Sequence, residues 1–164
     1  MITFDNSKIR RQDRLLTAEE AYTLLKEGEY GVLSMITPEG TPYGVPVNYV
    51  WDGDGAIYIH CASDGRKLNC IRHNPCVSFC VGGHTCVVPD KFTTAYKSIV
   101  LACRAETGLD EDERWRALRM IIQKYSPQFA GIGEKYAAAS FHRTEVIKLV
   151  VDSMSGKAKR VHKA

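Results

Sequence analysis

The segment Gly65-Arg66-Lys67 combines residue types that bind phosphate groups. It follows the small residues of the loop 62–64 and opens a stretch, residues 66–73, whose apolar spacing predicts a short helix. A helix N-terminus offers unpaired amides and a positive dipole end, which favour a bound anion and oppose two neighbouring cations. A phosphate would resolve that conflict, with arginine as a forked donor and lysine as a point charge. Two solvated charges on an exposed turn are an equally good interpretation of these residues alone.

His60 lies at the end of the apolar segment that precedes this loop. Its imidazole titrates near neutral pH and can donate to a ligand or an oxyanion. Alternation along a strand places Tyr58 and His60 on the face opposite Ile57 and Ile59. The position therefore fits a catalytic proton donor, and it fits equally a histidine hydrogen-bonded in the wall of a β-structure.

The six cysteines do not follow a zinc-binding pattern, because no Cys-x-x-Cys pair occurs. Cys80, His84 and Cys86 could ligate a metal, but this triplet lacks a paired second half. Free thiols are expected in a reducing compartment, and we predict no metal site. Cys61 has no second cysteine beside it in sequence, which favours a packing role over a redox role.

The surrounding residues predict a mainly β fold with flanking helices. Apolar and β-branched runs bounded by turn residues predict six strands, at 30–37, 43–51, 56–61, 76–81, 96–107 and 144–151, the last ending at a turn over 153–156. Helical spacing predicts helices at 17–28, 66–73, 110–125 and 129–139, the first with a capping box from Thr17 and Glu20. The short turns between the first three strands exclude parallel βαβ units, and the element order favours an antiparallel barrel.

Length and composition are those of one globular domain spanning residues 1–164, with 1–14 and 158–164 expected at its periphery. The formal charge of +3 gives no reason to expect a nucleic-acid partner. No apolar run approaches the ~18 residues of a membrane span, and the first residues lack the apolar core of a secretory signal. We therefore expect a cytoplasmic protein with no membrane or nucleic-acid partner.

Four short motifs occur in order along the chain: Pro46-Val47-Asn48-Tyr49, Tyr58-Ile59-His60, Gly65-Arg66-Lys67 and Asn74-Pro75. Their order and spacing resemble the FMN-binding split barrels of the pyridoxamine 5'-phosphate oxidase type, and more narrowly the 5-nitroimidazole-resistance proteins. The segments 96–100 (YKSIV) and 155–158 (SGKA) extend the resemblance over nearly the whole chain. Each motif is weak alone, and the specificity lies in their combination.

The resemblance implies a six-stranded antiparallel split β-barrel that binds FMN and forms a homodimer with the flavin at the interface. The cofactor-binding residues that it implies are Val47, Asn48, Tyr49, His60, Cys61, Ala62, Ser63, Gly65, Arg66, Lys67 and Ser98. Among them Arg66 and Lys67 match the phosphate pair, and 47–49 match a strand whose backbone lies along the flavin ring. Ser98 matches a position that approaches the flavin from the partner subunit.

The first functional hypothesis is a flavin-dependent oxidoreductase that reduces a small acceptor, such as a nitroaromatic of the 5-nitroimidazole type, with His60 as the candidate catalytic residue. NADH or NADPH would be a transient donor. The alternative is a flavin-binding protein without turnover, serving as a sensor, store or stress carrier. A true pyridoxamine-phosphate oxidase is a weaker alternative, because residues 157–164 replace the basic and aromatic end of that subfamily. FAD stays open beside FMN, because an open groove would let an adenylate extend into solvent.

Overall fold

The computed structural model of the chain describes residues 2–161 and contains, within that range, eight strands and four α-helices. In chain order they are β1 (Thr3–Phe4), α1 (Ala18–Glu27), β2 (Tyr30–Ile36), β3 (Pro42–Asn48), β4 (Val50–Trp51), β5 (Ala56–Ala62), α2 (Arg66–His73), β6 (Cys76–Val88), β7 (Thr93–Glu106), α3 (Glu111–Tyr125), α4 (Ala130–Ser140) and β8 (Thr144–Lys159). The prediction of a mainly β split-barrel fold with flanking helices is confirmed. The predicted strand count of six is wrong, because β1 was missed and the second predicted strand is two strands.

The strands form one sheet in the order β3-β2-β6-β7-β8-β5-β4, antiparallel throughout, with β1 added parallel to β8. Its two edge strands, β3 and β4, are separated in sequence only by Tyr49. A chain that leaves one edge and enters the other after a single residue requires the sheet to curl until its edges meet. The sheet is therefore rolled like a barrel but is not closed by hydrogen bonds between β3 and β4.

Tyr49, at this meeting of the two edges, is fully buried. Its amide donates to the Tyr125 hydroxyl at 2.9 Å, and the same hydroxyl lies 2.7 Å from the Tyr49 carbonyl oxygen. The Tyr49 hydroxyl donates to the Leu25 carbonyl at 2.7 Å. The predicted continuous strand 43–51 is broken here because two helices, and not a neighbouring strand, satisfy the polar groups of this residue.

The last strand also differs from its prediction, because β8 continues through residues 153–156, where a turn was expected. Gly156 pairs with Ile99 of β7, and a Cβ on it would lie 2.9 Å from the Cβ of Leu16. This glycine therefore serves close packing and not a turn. The termini were expected to be peripheral, yet Ile2 and Ala158 are buried; the rest of that expectation for 162–164 falls outside the described residues.

Two hydrophobic clusters lie on the two faces of β5, as the alternation predicted. Ile57 and Ile59 belong to the inner cluster, inside the rolled sheet. Tyr58 belongs to the outer cluster, where α3 and α4 cover β5 and β8. In this cluster Leu118 of α3 packs with Val146 of β8. His60 follows Tyr58 on the outer side, so the two outer helices form its surroundings.

Glu20 joins the start of α1 to the end of β8. It completes the predicted capping box with Thr17, and both of its carboxylate oxygens accept from Arg160 at 2.6 Å. These bonds, chiefly that of Arg160, lower the pKa of Glu20 to about 2. A pKa below its unfolded value means that the stabilisation is complete above about pH 4.5 and is lost as the pH falls towards 2.

Replacing Glu20 with glutamine is therefore expected to lower the free energy of unfolding by about 1–3 kcal/mol at pH 7. Urea unfolding at pH 7 and at pH 3 measures this cost and should show a smaller difference between wild type and variant at pH 3. Glu19→Gln, one residue earlier on an exposed position, is the control. A pH-independent difference would contradict the assigned cause.

Candidate functional site

The N-terminus of α2 is led by Gly65 and has no side-chain cap. Gly65 has φ +144°, a conformation that other residues rarely adopt, so the loop approaches the helix by a route that glycine permits. Arg66 and Lys67 occupy the first helical turn, as predicted. The helix therefore presents uncapped amides and two cations at one end, which is the donor set that a phosphate requires.

Arg66 is held by the strand β3. Its guanidinium carbon lies 4.1 Å from the centre of the Tyr43 ring, in a cation–π contact. This contact orients a side chain that is otherwise exposed on the first turn of the helix. The fork of the arginine is thereby placed between β3 and α2, the two elements that the resemblance assigned to the flavin.

His60 opens onto the outer side of β5, and its side chain is exposed. Protein surrounds enough of the ring that burial, followed by the charge of Lys67, lowers the pKa of His60. The imidazole is therefore mainly neutral at pH 7. The contribution of Lys67 predicts an electrostatic coupling between the phosphate-binding end and the His60 end of the segment.

Replacing Lys67 with methionine is expected to raise the pKa of His60 towards its ordinary value, since a nearby positive charge is removed. The increase should be partial, because burial is the larger cause and persists. NMR titration of the His60 ring proton, assigned with His60→Gln, measures this shift. Arg72→Met, at the other end of α2, is the control. An unchanged or lower His60 pKa in Lys67→Met would contradict the coupling.

An open, mostly apolar cleft of about 710 Å³ lies beside His60, between the end of β5, the helices α3 and α4, and the turn before β8. Its walls include Leu118 and Ile121 of α3 and Ile132 and Tyr136 of α4. His60, Cys61 and Ala62 form its floor at the strand end. Burial raises the pKa of the Cys61 thiol, which keeps it protonated and agrees with a packing role.

Two consecutive side chains at the end of α3, Lys124 and Tyr125, fasten the junction of β3 and β4, and no local motif predicts this. The Tyr125 hydroxyl bonds to Tyr49 as described above and lies 2.7 Å from the Glu29 carbonyl oxygen. The Lys124 ammonium donates to the Gly28 carbonyl at 2.7 Å and lies 3.9 Å from the centre of the Tyr49 ring. Burial lowers the pKa of Lys124 to about 8.

This fastening occupies backbone groups that the resemblance had assigned to the flavin. The Tyr49 amide and carbonyl are bonded to Tyr125, and the Asn48 side chain donates to the Glu29 carbonyl at 2.9 Å. The Tyr49 amide is therefore already paired within the chain, and the assignment of the backbone of residues 47–49 to the flavin ring stays a prediction. The outer edge of β3, which includes Val47, has no strand partner among the described residues and remains available.

The predicted residues from His60 to Lys67 form one continuous group, whereas Ser98 lies elsewhere. Ser98 pairs with Lys157 of β8, and His60 pairs with Val146 of the same strand. Eleven residues of extended strand separate these two positions, roughly 35 Å along the chain. Within one chain Ser98 therefore does not reach the His60 cleft.

Arg143 is a site residue that sequence reasoning missed. It lines the cleft beside His60, and its carbonyl accepts from the Ser63 amide at 3.2 Å, which ties the turn before β8 to the phosphate loop. No local motif marks it, because its proximity to His60 arises from the pairing of Ala62 with Thr144.

Residues 2–161 contain no helix long and apolar enough to cross a membrane, and no cluster of three metal-ligating side chains.

Comparisons with known proteins agree with this architecture. A family model described as pyridoxamine 5'-phosphate oxidase matches residues 17–158. A search of curated proteins found no match.

Three solved structures illustrate the likeness of fold. A Bacteroides thetaiotaomicron protein, provisionally described as a 5-nitroimidazole antibiotic resistance protein, superposes with a TM-score of 0.75 at 22% identity, over 88% of this chain and 86% of its own. A FAD-binding protein from Mesorhizobium loti gives 0.62 at 24% identity, over 90% and 98%. A FAD- and haem-binding protein from Mycobacterium smegmatis gives 0.74 at 15% identity, over 93% and 77%. At these identities the likeness shows the fold alone.

Proposed function

Because the chain belongs to the pyridoxamine 5'-phosphate oxidase family, we propose that it binds flavin mononucleotide and reduces a small acceptor beside His60. The observation that carries the proposal is the uncapped, glycine-led N-terminus of α2, with Arg66 and Lys67 in its first turn and His60 within the electrostatic reach of Lys67. A terminal phosphate satisfies that donor set, and the flavin ring would lie towards β3 and the end of β5.

The choice of FMN over FAD rests on this terminal-phosphate geometry. The loop residues Ser63 and Asp64 are exposed, so an adenylate attached to the phosphate would have room to extend into solvent. FAD is therefore the alternative cofactor, since two solved structures of the same fold are described as FAD-binding proteins. Mass analysis of the released cofactor separates the two.

Each residue of the site has a defined task in this proposal. When bound, the flavin would supply the redox chemistry. Arg66 and Lys67 neutralise the phosphate and fix the cofactor against β3. His60 is neutral at pH 7 and offers one donor and one acceptor nitrogen towards the cleft, so a step that needs its protonated form would become faster at lower pH. The apolar walls of the cleft reduce the access of water to the acceptor.

We further propose that the active form is a homodimer, on the basis of a patch of uncharged residues on the outer surface of the sheet, the uncharged face. Its positions pair across β2, β6, β7 and β8 in two adjacent rows, Val32-Cys80-Val100-Ser155 and Ser34-Ser78-Ala102-Ser153. None of these eight residues is charged, and Val100 is 47% exposed, whereas exposed strand positions of a monomer usually carry charged side chains.

Ser98 lies on the same side of the sheet, one row beyond Val100, where it pairs with Lys157 at the border of the uncharged face. Packing the faces of two copies about a two-fold axis would bring the Ser98 end of one copy towards the opposite end of the other, where Arg66 and Tyr43 lie. This arrangement reconciles the assignment of Ser98 to the flavin site with its distance from His60 in one chain.

The test of function is the absorption spectrum of freshly purified protein. The proposal expects a yellow protein that bleaches anaerobically with NADH or NADPH and regains its colour when a 5-nitroimidazole is added. Bound flavin that neither nucleotide bleaches would favour the alternative of a sensor, store or stress carrier. A colourless protein that does not take up added FMN would contradict both.

A pyridoxamine-phosphate oxidase activity is the weaker alternative, because the family name covers more than one chemistry. The segment that would have to bind that substrate phosphate, by the resemblance, departs from the oxidase pattern and lies partly in residues 162–164, outside the described range. Turnover of pyridoxamine 5'-phosphate with oxygen, measured on the same preparation, tests it directly.

A further inference from the structure

The cleft beside His60 has an unusual distribution of charge. Its lining consists largely of apolar side chains from α3, α4 and the turn between them, and three of the large ones are exposed: Phe129 at 57%, Ile132 at 69% and Tyr136 at 72%. Among residues 2–161, Arg143 is the only residue with a permanent charge in the lining, and no carboxylate of that range lines the cleft. An apolar surface with one cation at its edge matches a ligand with an apolar body and one anionic group.

Arg143 is free to bind such a group. Within residues 2–161 its guanidinium has no hydrogen-bond, ion-pair or ring partner, whereas Arg114, Arg116 and Arg119 nearby are each engaged. Its main chain is fixed by the Ser63 amide, so the base of the side chain is held at the mouth of the cleft. A guanidinium fork binds a carboxylate through two parallel bonds, which gives direction as well as affinity.

We infer that the cleft binds a small amphipathic carboxylate, with its apolar or aromatic body against α4 and its carboxylate on Arg143. A volume of about 710 Å³ is within the range of small-molecule sites. The binding of this ligand to the cleft is independent of the proposed function. The further step, that the ligand is also the acceptor beside His60, rests on the proposed function.

Two other occupants of the cleft are weaker on the same observations. A second copy of the chain has the uncharged sheet face to pack against, and none of the residues that define that face lines the cleft. The flavin ring belongs by the phosphate geometry on the β3 side of α2, where Arg66 stacks on Tyr43. Neither occupant accounts for an unpaired guanidinium at the cleft mouth.

The test is isothermal titration calorimetry of the purified protein with 1-naphthoate and with its neutral counterpart 1-naphthalenemethanol. We expect naphthoate to bind roughly tenfold more tightly or better, the difference of one charge-assisted bond. Arg143→Gln should abolish that preference and leave the binding of the alcohol unchanged. Ile132→Asn should weaken both probes, and Arg119→Gln, whose side chain is 60% exposed and paired with Glu134, should change neither.

Equal binding of the two probes by the wild type, or a preference for naphthoate that survives in Arg143→Gln, would overturn the inference. Displacement of both probes by saturating FMN would assign the cleft to the flavin ring, and binding of neither probe would leave it to a protein partner; both results also overturn it. A protein that fails to take up FMN but still prefers naphthoate would contradict the proposed function and support the cleft assignment. Failure of the proposed function can therefore be distinguished from failure of the cleft inference.

Discussion

Replacing Arg66 and Lys67 together with alanine is expected to weaken FMN binding by roughly 10²- to 10⁴-fold. The change removes at least two charge-assisted hydrogen bonds to the phosphate, each worth about 1.5–3 kcal/mol. It also removes the contact of Arg66 with the Tyr43 ring, which preorganises the guanidinium. Quenching of FMN fluorescence on titration with apoprotein measures the dissociation constant directly.

The apoprotein of this double variant should remain folded. Both side chains lie on the first turn of α2, where the helix dipole disfavours cations, so their removal is expected to leave the free energy of unfolding equal or slightly higher. Arg72→Ala, on the last turn of the same helix, should retain FMN. Wild-type FMN affinity in the double variant would place the phosphate elsewhere and refute the site.

The single variant Arg66→Lys separates charge from geometry. A lysine keeps the positive charge but loses the forked donor and the planar stacking on Tyr43. An FMN affinity between those of wild type and the double variant would show that the orientation of the guanidinium, as well as its charge, contributes to binding.

Features set by local sequence were predicted well. The capping box of Thr17 and Glu20 defines α1, and Asn74 ends α2 before the proline that follows, so both helices appear at the expected positions. The placement of Arg66 and Lys67 in the first turn of α2 follows from the same local rules. Alternation in β5 likewise separates Ile59 from Tyr58, because each strand side chain points to the face opposite its neighbour.

Features set by contacts between distant segments could not be predicted. The break at Tyr49 depends on Tyr125, 76 residues away, and Gly156 looks like a turn residue until Leu16 is seen to pack against it. Arg143 joins the site only because β8 pairs with β5. In each case the missing information is the identity of a spatial neighbour, which no window of sequence contains.

Ser98 lies far from the His60 cleft within one chain, so its proposed role in flavin binding depends on the oligomeric state. If the uncharged face packs against a second copy, Ser98 of each chain can contribute to the flavin site of the other, and flavin binding depends on association. If the protein is a monomer, Ser98 has no access to that site. The two cases give opposite expectations for a variant that affects only the face.

If the proposed dimer forms through this face, replacing Val100 with arginine is expected to convert it to a monomer and to weaken FMN binding with it. Val100 is at the centre of the uncharged face, and two-fold packing would bury two unpaired guanidinium groups, weakening association roughly 10²-fold or more. The monomer itself should fold, because this side chain is 47% exposed and an arginine can extend into solvent there. Sedimentation velocity with and without FMN measures both quantities on one sample.

The matched control is Val87→Arg, which adds the same charge to β6 at a position that is 67% exposed and lies beyond the uncharged face. It should leave both mass and FMN affinity unchanged. A Val100→Arg variant that stays dimeric would show that the face is not the interface, and a monomeric variant with full FMN affinity would show that the flavin site lies within one chain. Because Arg66 and Lys67 are on α2, whereas Val100 is on β7 between Cys80 and Ser155, loss of FMN from this variant would come from the partner and not from damage to the phosphate site.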